Sequence, residues 1–223
     1  MKKQSLAAAF LAGALVLSSC GASNAVKGAG IGAAGGAAIG AGIGRVLGNT
    51  AVGAVIGGVV GGTAGTLIGE KMDKQKKELE RDVKDAKIES VNDGQAIRVT
   101  FDSGILFATG SATLSSTSQA TLRKFAANLS EHSDTDLMII GHTDNTGTDR
   151  VNNPLSYNRA ASVRSFLAGQ GVSSSRMKVE GKGSYEPVAD NSTVAGRREN
   201  RRVEVYILPS KEMVKAAQDG TLR

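Results

Sequence analysis

A glycine repeat near the N-terminus restricts what this chain can fold into more than any other feature. Residues 28–69 contain 16 glycines in 42 positions, and Arg45 is the only charged residue among them. The glycines recur at every fourth position, in two runs offset by one residue. The first run is Gly28, Gly32, Gly36, Gly40, Gly44 and Gly48, and the second is Gly53, Gly57, Gly61, Gly65 and Gly69. A step of four returns to nearly the same face of an α-helix, so each run predicts a groove for close helix–helix approach.

The length of the two runs suits a membrane. Each covers about 20 residues, close to one bilayer span, and Asn49 and Thr50 between them suit a tight reversal. We therefore predict a membrane-associated helical hairpin over 28–69, packed through its glycines within one chain or between copies in a homo-oligomer. A flexible Gly/Ala linker is the alternative, although a linker needs no register. The sequence "GIGAAG" satisfies the dinucleotide-binding pattern GxGxxG but lacks the preceding strand and the later acidic residue, so no cofactor is predicted.

The first 20 residues, "MKKQSLAAAFLAGALVLSSC", have the pattern of an export signal. Two lysines precede an apolar stretch that is too short to span a bilayer, and small residues follow it. The stretch resembles a bacterial lipobox, which implies cleavage of a signal peptide over 1–19 and attachment of diacylglycerol to Cys20. Cys20 is the only cysteine, so it has no internal disulfide partner. The lipidated N-terminus is assigned to 20–27, and Gly21 after the cysteine implies sorting to the outer membrane of a Gram-negative cell.

Two further regions follow the hairpin. The segment 70–89 alternates acidic and basic residues around a thin apolar stripe of Met72, Leu79 and Val83, which predicts a solvated helical spacer. From 90 to 210 the pattern indicates strand–helix–strand–helix–strand–strand, an α/β sandwich with helices against one sheet. The strand "DLMIIGHT" is predicted to be central, and the helix "PLSYNRAASVRSFLAGQG" to begin at a cap on Asn153 or Ser156. Residues 211–223 are assigned to a C-terminal tail.

A misplaced charge points to a function. Arg159 falls on the apolar stripe of the second helix, four residues after Leu155. A buried ion must be paired, because an uncompensated one costs several kcal/mol. Asp144, in "GHTDNTG" at the end of a strand, is the candidate partner. A plain structural ion pair between the two residues is one interpretation, and a ligand site is the other.

Three other functions are not supported by the sequence. His142 and Asp144 are predicted to point the same way from a strand, as in a catalytic dyad, but no activated serine or cysteine accompanies them. The chain has two histidines, fewer ligands than a zinc site usually uses, so no metal is predicted. The basic cluster "GRRENRR" is typical of nucleic-acid binding, but export makes anionic wall or lipid surfaces the expected neighbours.

Several separated motifs resemble one family. "GHTDNTG", "NNPLSYNRAASVRSFLAGQGV" and "GKGSYEPVADNSTVAGRRENRRVEVYI" are similar to the OmpA-like peptidoglycan-binding domain, in order and at family spacing. The resemblance implies a βαβαββ fold and non-covalent binding of the diaminopimelate side chain of the peptidoglycan stem peptide. It implies that Asp144 takes the ligand ammonium and Arg159 the ligand carboxylate. The supporting residues it implies are Thr143, Asn152, Leu155 and Arg202.

The chain departs from the family at one loop. Ala108 stands where some members carry an acidic or amide side chain, so this loop is expected to contribute backbone contacts only. The expected function is a non-enzymatic outer-membrane lipoprotein whose C-terminal domain binds peptidoglycan in the periplasm and tethers the envelope to the wall. The alternative is a membrane assembly protein that oligomerises through its glycine zipper, with wall binding as a tether.

Overall fold

The fold is a five-stranded sheet with helices, as a computed structural model of residues 62–223 describes it. The strands are β1 (Ala86–Val91), β2 (Ala96–Asp102), β3 (Thr135–Gly141), β4 (Met177–Gly181) and β5 (Arg202–Pro209). The helices are α1 (Thr63–Asp82), α2 (Ser103–Leu106), α3 (Ser116–Glu131), α4 (Asp149–Gly169), α5 (Val194–Asn200) and α6 (Lys211–Gln218). The predicted α/β class is confirmed, and β2, α3, β3, α4, β4 and β5 supply the expected order of elements.

The sheet order is β1-β2-β5-β3-β4, with β3 parallel to β4 and every other pair antiparallel. The central strand is therefore β5, and the predicted central strand β3 lies next to it. Asp102 pairs with Arg202 and Gly141 pairs with Val203. The C-terminal ends of β2 and β3 therefore meet the start of β5 at one end of the sheet.

The main core lies between the sheet and the helices. Ile97, Val99 and Phe101 of β2 are buried, as the alternation of that strand predicts. The apolar face of α3 packs against the same core, and the rings of Phe101 and Phe125 meet edge to face at 5.5 Å. Such aromatic pairs stabilise a core by about 1 kcal/mol beyond their buried area.

The opposite face of the sheet is also buried. Every residue of β5 is buried, although its alternating sequence predicted one exposed face. A second apolar cluster lies on this face, formed by Ala96, Met138, Ile140, Tyr206 and Leu208. The polar residues of β5 on this side, Arg202 and Glu204, are likewise buried and bonded to each other.

Helix α1 corrects the prediction of a solvated spacer over 70–89. It runs without a break across the predicted boundary at 69/70, from Thr63 to Asp82. Its stripe of Ile68, Met72 and Leu79 is almost fully buried in the main core. The many surface charges concealed this stripe in the sequence, because a helix can carry charges around most of its surface and still pack one narrow apolar face.

The boundaries of the domain also differ from the prediction. The strand β1 was not predicted, and the expected domain start at residue 90 falls inside it. The segment 211–223, expected to be a tail, contains α6, whose Met213 and Ala217 are buried in the main core. Helices α1 and α6 contact each other, so the folded unit reaches from α1 to the end of the chain.

Helix α4 begins earlier than its sequence predicts. Its first residue is Asp149 and Thr148 precedes it, so the predicted caps Asn153 and Ser156 lie inside the helix together with Pro154. The earlier start places Asp149 in the first turn, where the helix dipole favours an acidic residue. The helix ends at Gly169, and Gly171 follows with a φ of 95°, which suits a glycine after a helix.

Most of the N-terminal predictions lie outside the described residues. These are the signal peptide over 1–19, the lipidated segment over 20–27 with Cys20, and the hairpin over 28–69 except its last eight positions. Those eight positions are Gly62 and the first two turns of α1. From residue 62 onward, no helix combines the length and the apolar character that crossing a bilayer requires.

The N-terminal half of α4 lies very close to the ends of two strands. A Cβ at Gly141 would lie 2.0 Å from the carbonyl oxygen of Ser156, and a Cβ at Gly181 would lie 2.5 Å from the backbone nitrogen of Tyr157. Both distances are far shorter than van der Waals contact. The absence of side chains at these two positions therefore sets how close α4 comes to β3 and β4.

We expect Leu79→Ala to lower the free energy of unfolding of residues 62–223 by about 2–5 kcal/mol, as for other buried leucines. The reason is that Leu79 has no exposed surface. Urea denaturation checks this, with the exposed Lys77→Ala on the same helix as control. Equal stabilities of the two variants would mean that α1 is a solvated spacer.

Gly141→Ala should displace α4 and lower stability, because the backbone of Ser156 leaves no room for a methyl group. Gly69→Ala is the matched control, since a Cβ there meets nothing within 4 Å. In a helix interior that change should stabilise by about 0.5–1 kcal/mol. Thermal unfolding of both variants measures the difference, and similar shifts in Tm would contradict the close approach.

Candidate ligand-binding site

Asp144 lies in the loop just after β3, at the end of the sheet where β5 begins. It is buried, and its two oxygens are both bonded: Arg201 Nη1 donates to Oδ2 at 2.5 Å and the backbone N–H of Thr146 donates to Oδ1 at 2.8 Å. Burial by itself would raise the pKa of Asp144. The hydrogen bonds and the charge of Arg201 outweigh burial, so the pKa lies below its ordinary value and the carboxylate stays ionised.

Arg159 is buried on α4 with 3% of its surface exposed. Its Nε donates to the carbonyl oxygen of Ser111 at 3.0 Å, and its guanidinium carbon lies 5.4 Å from the centre of the Phe107 ring. Burial and the nearby charge of Arg201 lower the pKa of Arg159, and the charge of Asp144 opposes them. Within residues 62–223 no carboxylate lies at ion-pair distance from Arg159.

The direct ion pair between Asp144 and Arg159, one of our two interpretations of the sequence, is not formed. Arg201 takes the carboxylate of Asp144 instead, and Arg159 is left with a carbonyl and an aromatic face. A carbonyl and a ring offset part of the cost of burying a guanidinium, but neither carries a full negative charge. Two arginines and one aspartate thus give the site an excess of positive charge.

Two of the predicted supporting residues are near Asp144. Asn152 donates from Nδ2 to the backbone oxygen of Asp144 at 3.3 Å, which ties the start of α4 to the loop. Thr143 donates its backbone N–H to Gly183, but its buried Oγ1 has no hydrogen-bond partner among residues 62–223. A buried hydroxyl without a partner is costly, so this oxygen is available to a ligand. Leu155 is half-buried on α4.

Arg202 points elsewhere, which corrects its predicted place in the site. Its Nε donates to Glu204 at 2.6 Å, and both Nη nitrogens donate to the backbone oxygen of Glu186. Tyr206 donates its hydroxyl to the other oxygen of Glu204 at 2.8 Å. These contacts lie on the sheet face opposite the main core, so Arg202 braces the sheet and the β4–β5 connection.

The arginine beside Asp144 is Arg201, which the sequence prediction missed. It directly precedes β5, and Asp144 follows β3 by three residues, so the antiparallel pairing of these strands brings residues 57 apart together. The sequence "NRRV" contains two adjacent arginines, and the residue at which β5 starts decides which of them faces the loop. The sequence alone did not reveal this, because it does not show how β3 pairs with β5. The side chain of Arg201 is 38% exposed, whereas that of Arg202 is buried.

Two residues of the loop before α3 contribute backbone groups. Ser111 supplies its carbonyl oxygen to Arg159, and Ala108 accepts the backbone N–H of Ser111. The expectation of backbone contacts alone therefore fits position 108 but not the loop as a whole. Phe107 adds its ring beneath the guanidinium, a contact that the sequence did not reveal.

His142 is separated from Asp144, because β3 ends at Gly141 and the strand alternation does not continue into the loop. Its Nε2 faces Glu204 Oε2 at 3.9 Å, and neither ring nitrogen has a hydrogen-bond partner in the described part of the chain. Burial, with help from the charge of Arg202, lowers the pKa of His142 to about 3, so the imidazole is neutral. The structure therefore provides no His142–Asp144 dyad.

A separate group of possible metal ligands joins α1 to the end of α3. Glu78, Glu131 and His132 place one ligand atom each within 4.8 Å of one another. His132 Nε2 and Glu78 Oε2 are already hydrogen-bonded at 2.6 Å, and Asn128 links to Glu78 and Gln75. These hydrogen bonds connect α1 to α3, so the group has a structural role without a metal ion. It lies on elements other than those that carry Asp144 and Arg159.

Comparison with known families places two matches on this chain. Residues 106–201 match the OmpA family, which covers every element from the end of α2 to α5. Residues 1–73 match the YMGG-like Gly-zipper family. The first match includes Asp144, Arg159 and Arg201, and the second includes the glycine runs and Cys20.

Three similar proteins extend these matches. The probable lipoprotein YiaD of Escherichia coli is 37% identical over 142 residues, which are 64% of this chain and 65% of YiaD. The peptidoglycan-binding protein ArfA of Mycobacterium tuberculosis is 37% identical over 112 residues, 50% of this chain and 34% of ArfA. The structure of the cell wall anchor of the T6SS from Pseudomonas aeruginosa superimposes with a TM-score of 0.55 at 30% identity, covering 61% of this chain and 97% of that one.

His142 should make the protein sensitive to acid. Between pH 6.5, the ordinary pKa of histidine, and pH 3, His142 is protonated in the unfolded chain but stays neutral in the folded protein. The free energy of unfolding is therefore not reduced by His142 above pH 6.5. It falls as the pH drops toward 3, and the reduction is about 2–3 kcal/mol at pH 4.5. His142→Gln should remove this part of the pH dependence. Urea titrations at pH 7.5 and 4.5 measure it, and an unchanged difference between the two pH values would contradict the neutral histidine.

Proposed function

We propose that the chain is an outer-membrane lipoprotein that binds peptidoglycan without covalent chemistry and so tethers the envelope to the cell wall. The match of residues 106–201 to the OmpA family supports this proposal. The whole-chain role is our inference, because the chain spans 65% of YiaD and about a third of ArfA. The names of a probable lipoprotein, a peptidoglycan-binding protein and a cell wall anchor support it.

The observation that carries the proposal is the buried Arg159 without a carboxylate partner, beside the buried Asp144. A guanidinium offers five N–H donors, of which only Nε has a hydrogen-bond acceptor among residues 62–223. An arginine that the fold buries and leaves with free donors is poised to bind a carboxylate in the planar, two-bond geometry that arginine favours.

The ligand that suits this arrangement is the zwitterionic centre of diaminopimelate. Its carboxylate would bind Arg159, and its ammonium would bind Asp144 in place of Arg201. Arg201, whose side chain is 38% exposed, would then turn toward the incoming carboxylate. The buried hydroxyl of Thr143, which has no hydrogen-bond partner among residues 62–223, would add a hydrogen-bonding group next to Asp144. An acid and an arginine held on a rigid sheet end and helix give geometric selectivity for an amino-acid centre.

The N-terminal part supplies the second attachment in this proposal. Cys20 would carry the diacylglycerol, and the glycine zipper would hold the chain at the membrane. Two attachments on one chain raise the effective concentration of the domain near the wall, so a modest affinity for each stem peptide is sufficient. Since α1 is packed into the domain, tension would pass from the membrane into the core directly.

A second function rests on the separate match to the glycine-zipper family. In this alternative the zipper assembles copies of the chain in the membrane, and wall binding only restrains the assembly. The two functions make different demands on the chain. Wall binding needs Asp144 and Arg159, whereas assembly needs the glycine runs before α1.

We expect Asp144→Asn and Arg159→Gln each to weaken binding to purified sacculi by about 10- to 100-fold, because each removes a charge-assisted contact worth about 1.5–3 kcal/mol. Pull-down of the chain with sacculi, with free diaminopimelate as competitor, measures the effect. The exposed residues Asp73 and Arg123 provide matched controls as Asp73→Asn and Arg123→Gln.

Deletion of residues 28–61 separates the two functions, since it removes most of the zipper and leaves α1 whole. Under our proposal the deleted chain still binds sacculi and loses only its membrane association. Loss of wall binding on deletion would favour the assembly function. Unchanged binding by the Asp144 and Arg159 variants, or no competition by diaminopimelate, would show that the assigned site is wrong.

A further inference from the structure

The exposed large hydrophobic side chains of residues 62–223 are concentrated in one part of the surface. There are five, and all lie on α4 or in the connection between β4 and β5: Val151, Tyr157, Tyr185, Val188 and Val194. Scattered exposed hydrophobic residues are ordinary, but a concentration next to a candidate site indicates an interaction surface. Two of the chain's three tyrosines belong to this group, with 51% and 63% of their surface exposed.

Tyr157 lies on α4 and Tyr185 lies in the loop after β4, and these two elements are in close contact. The backbone of Tyr157 lies against Gly181, where a Cβ would come within 2.5 Å of its nitrogen. In the same loop, Gly183 donates its N–H to Ser156 Oγ at 2.9 Å, and Tyr185 donates its backbone N–H to the oxygen of Lys182 at 3.1 Å.

This loop also joins the candidate ligand site. The backbone N–H of Thr143 donates to the oxygen of Gly183 at 2.8 Å, and Lys182 donates its N–H to the oxygen of Gly141. Tyr185 thus belongs to the short loop that is bonded to the residue before Asp144, and Tyr157 lies on the helix packed against that loop. A stem peptide of a few residues spans on the order of 10 Å, so a ligand bound at Asp144 and Arg159 brings its sugar to the neighbouring surface.

We propose that Tyr157 and Tyr185 form a glycan subsite, in which their rings pack against the apolar faces of the amino sugars that carry the stem peptide. This inference rests on the proposed peptidoglycan binding and extends the same site. A phenol ring has an apolar face for the C–H groups of a sugar ring and a hydroxyl for its polar edge. Tyrosine also loses little conformational entropy when it binds, because it has only two side-chain torsions.

The surface around the tyrosines suits a sugar better than a second copy of the chain. Asn153 and Asn158 are exposed on the same part of α4, and the loop contributes Lys182 and Glu186. A surface that combines these polar side chains with the two tyrosine rings matches a glycan, which presents hydroxyl groups and C–H groups in alternation. A stable dimer buries about 800 Å² on each subunit, which favours a continuous apolar surface over isolated rings.

The test compares two probes on the full chain in detergent micelles by calorimetry. One is a muropeptide that carries the disaccharide, and the other is the same stem peptide after the sugars have been removed. We expect the muropeptide to bind about tenfold tighter. Tyr157→Ala and Tyr185→Ala should reduce this difference while leaving the affinity for the sugar-free peptide unchanged. Tyr157→Phe should retain most of the difference, because the ring face remains.

Tyrosine emission gives a direct second measurement, since the chain has no tryptophan to mask it. The muropeptide should change the emission and the sugar-free peptide should not. Val188→Ala is the matched control, because it removes exposed apolar surface from the same loop without removing a ring. Circular dichroism of each variant establishes that the fold is retained.

The possible outcomes are distinguishable. Equal affinities of the wild-type chain for the two probes would overturn the glycan subsite and leave the diaminopimelate site standing. Absence of binding to both probes would overturn the proposed function, and the subsite with it. An equal effect of Val188→Ala, or a shift toward monomers in the tyrosine variants, would assign the surface to a protein contact and overturn the subsite as well.

Discussion

The burial of Arg159 is the constraint on which the site depends. The helix α4 carries this guanidinium into the protein, where, among residues 62–223, a carbonyl oxygen and an aromatic ring contact it. Asp144, the acid whose charge acts on Arg159, is paired with Arg201. The positive charge of Arg159 therefore lacks a carboxylate partner in a buried position, where an uncompensated charge costs free energy. A fold under selection for stability alone gains nothing from such an arrangement, whereas a binding site gains a cation with free donors already in place.

Rigid packing holds this arrangement in position. The N-terminal half of α4 lies directly against the strand ends at Gly141 and Gly181, and Asn152 ties the same part of the helix to the backbone of Asp144. On the far face of the sheet, Arg202 and Glu204 form a buried pair that connects β5 to the loop after β4. Two adjacent arginines thus have separate tasks, since Arg201 faces the ligand site and Arg202 braces the sheet behind it.

Helix α1 gives the proposed tether a mechanical consequence. Because its apolar stripe is part of the core, the folded unit already includes the last glycines of the repeat, and within residues 62–223 no independent spacer separates α1 from the sheet. The polar tie through Gln75, Glu78 and His132 and the ion pair between Lys71 and Asp134 hold the same helix to α3 and the loop that follows it. A force applied to α1 would therefore reach the sheet through packed side chains.

The sequence alone determined the α/β class and the order of the strands and helices between β2 and β5, and it singled out Asp144 and Arg159 as candidate site residues. These features can be predicted from sequence because their signals are local: the period-two alternation of strands, the spacing of apolar residues on helices, and one charge on an apolar helix face. The tertiary structure decided which groups meet. The register of β3 against β5 places Arg201 next to Asp144 and Arg202 on the opposite face of the sheet. The segments predicted to be a charged spacer and a tail contain most of α1 and all of α6, which pack into the core. These outcomes depend on contacts between residues far apart in the chain, which no local pattern encodes.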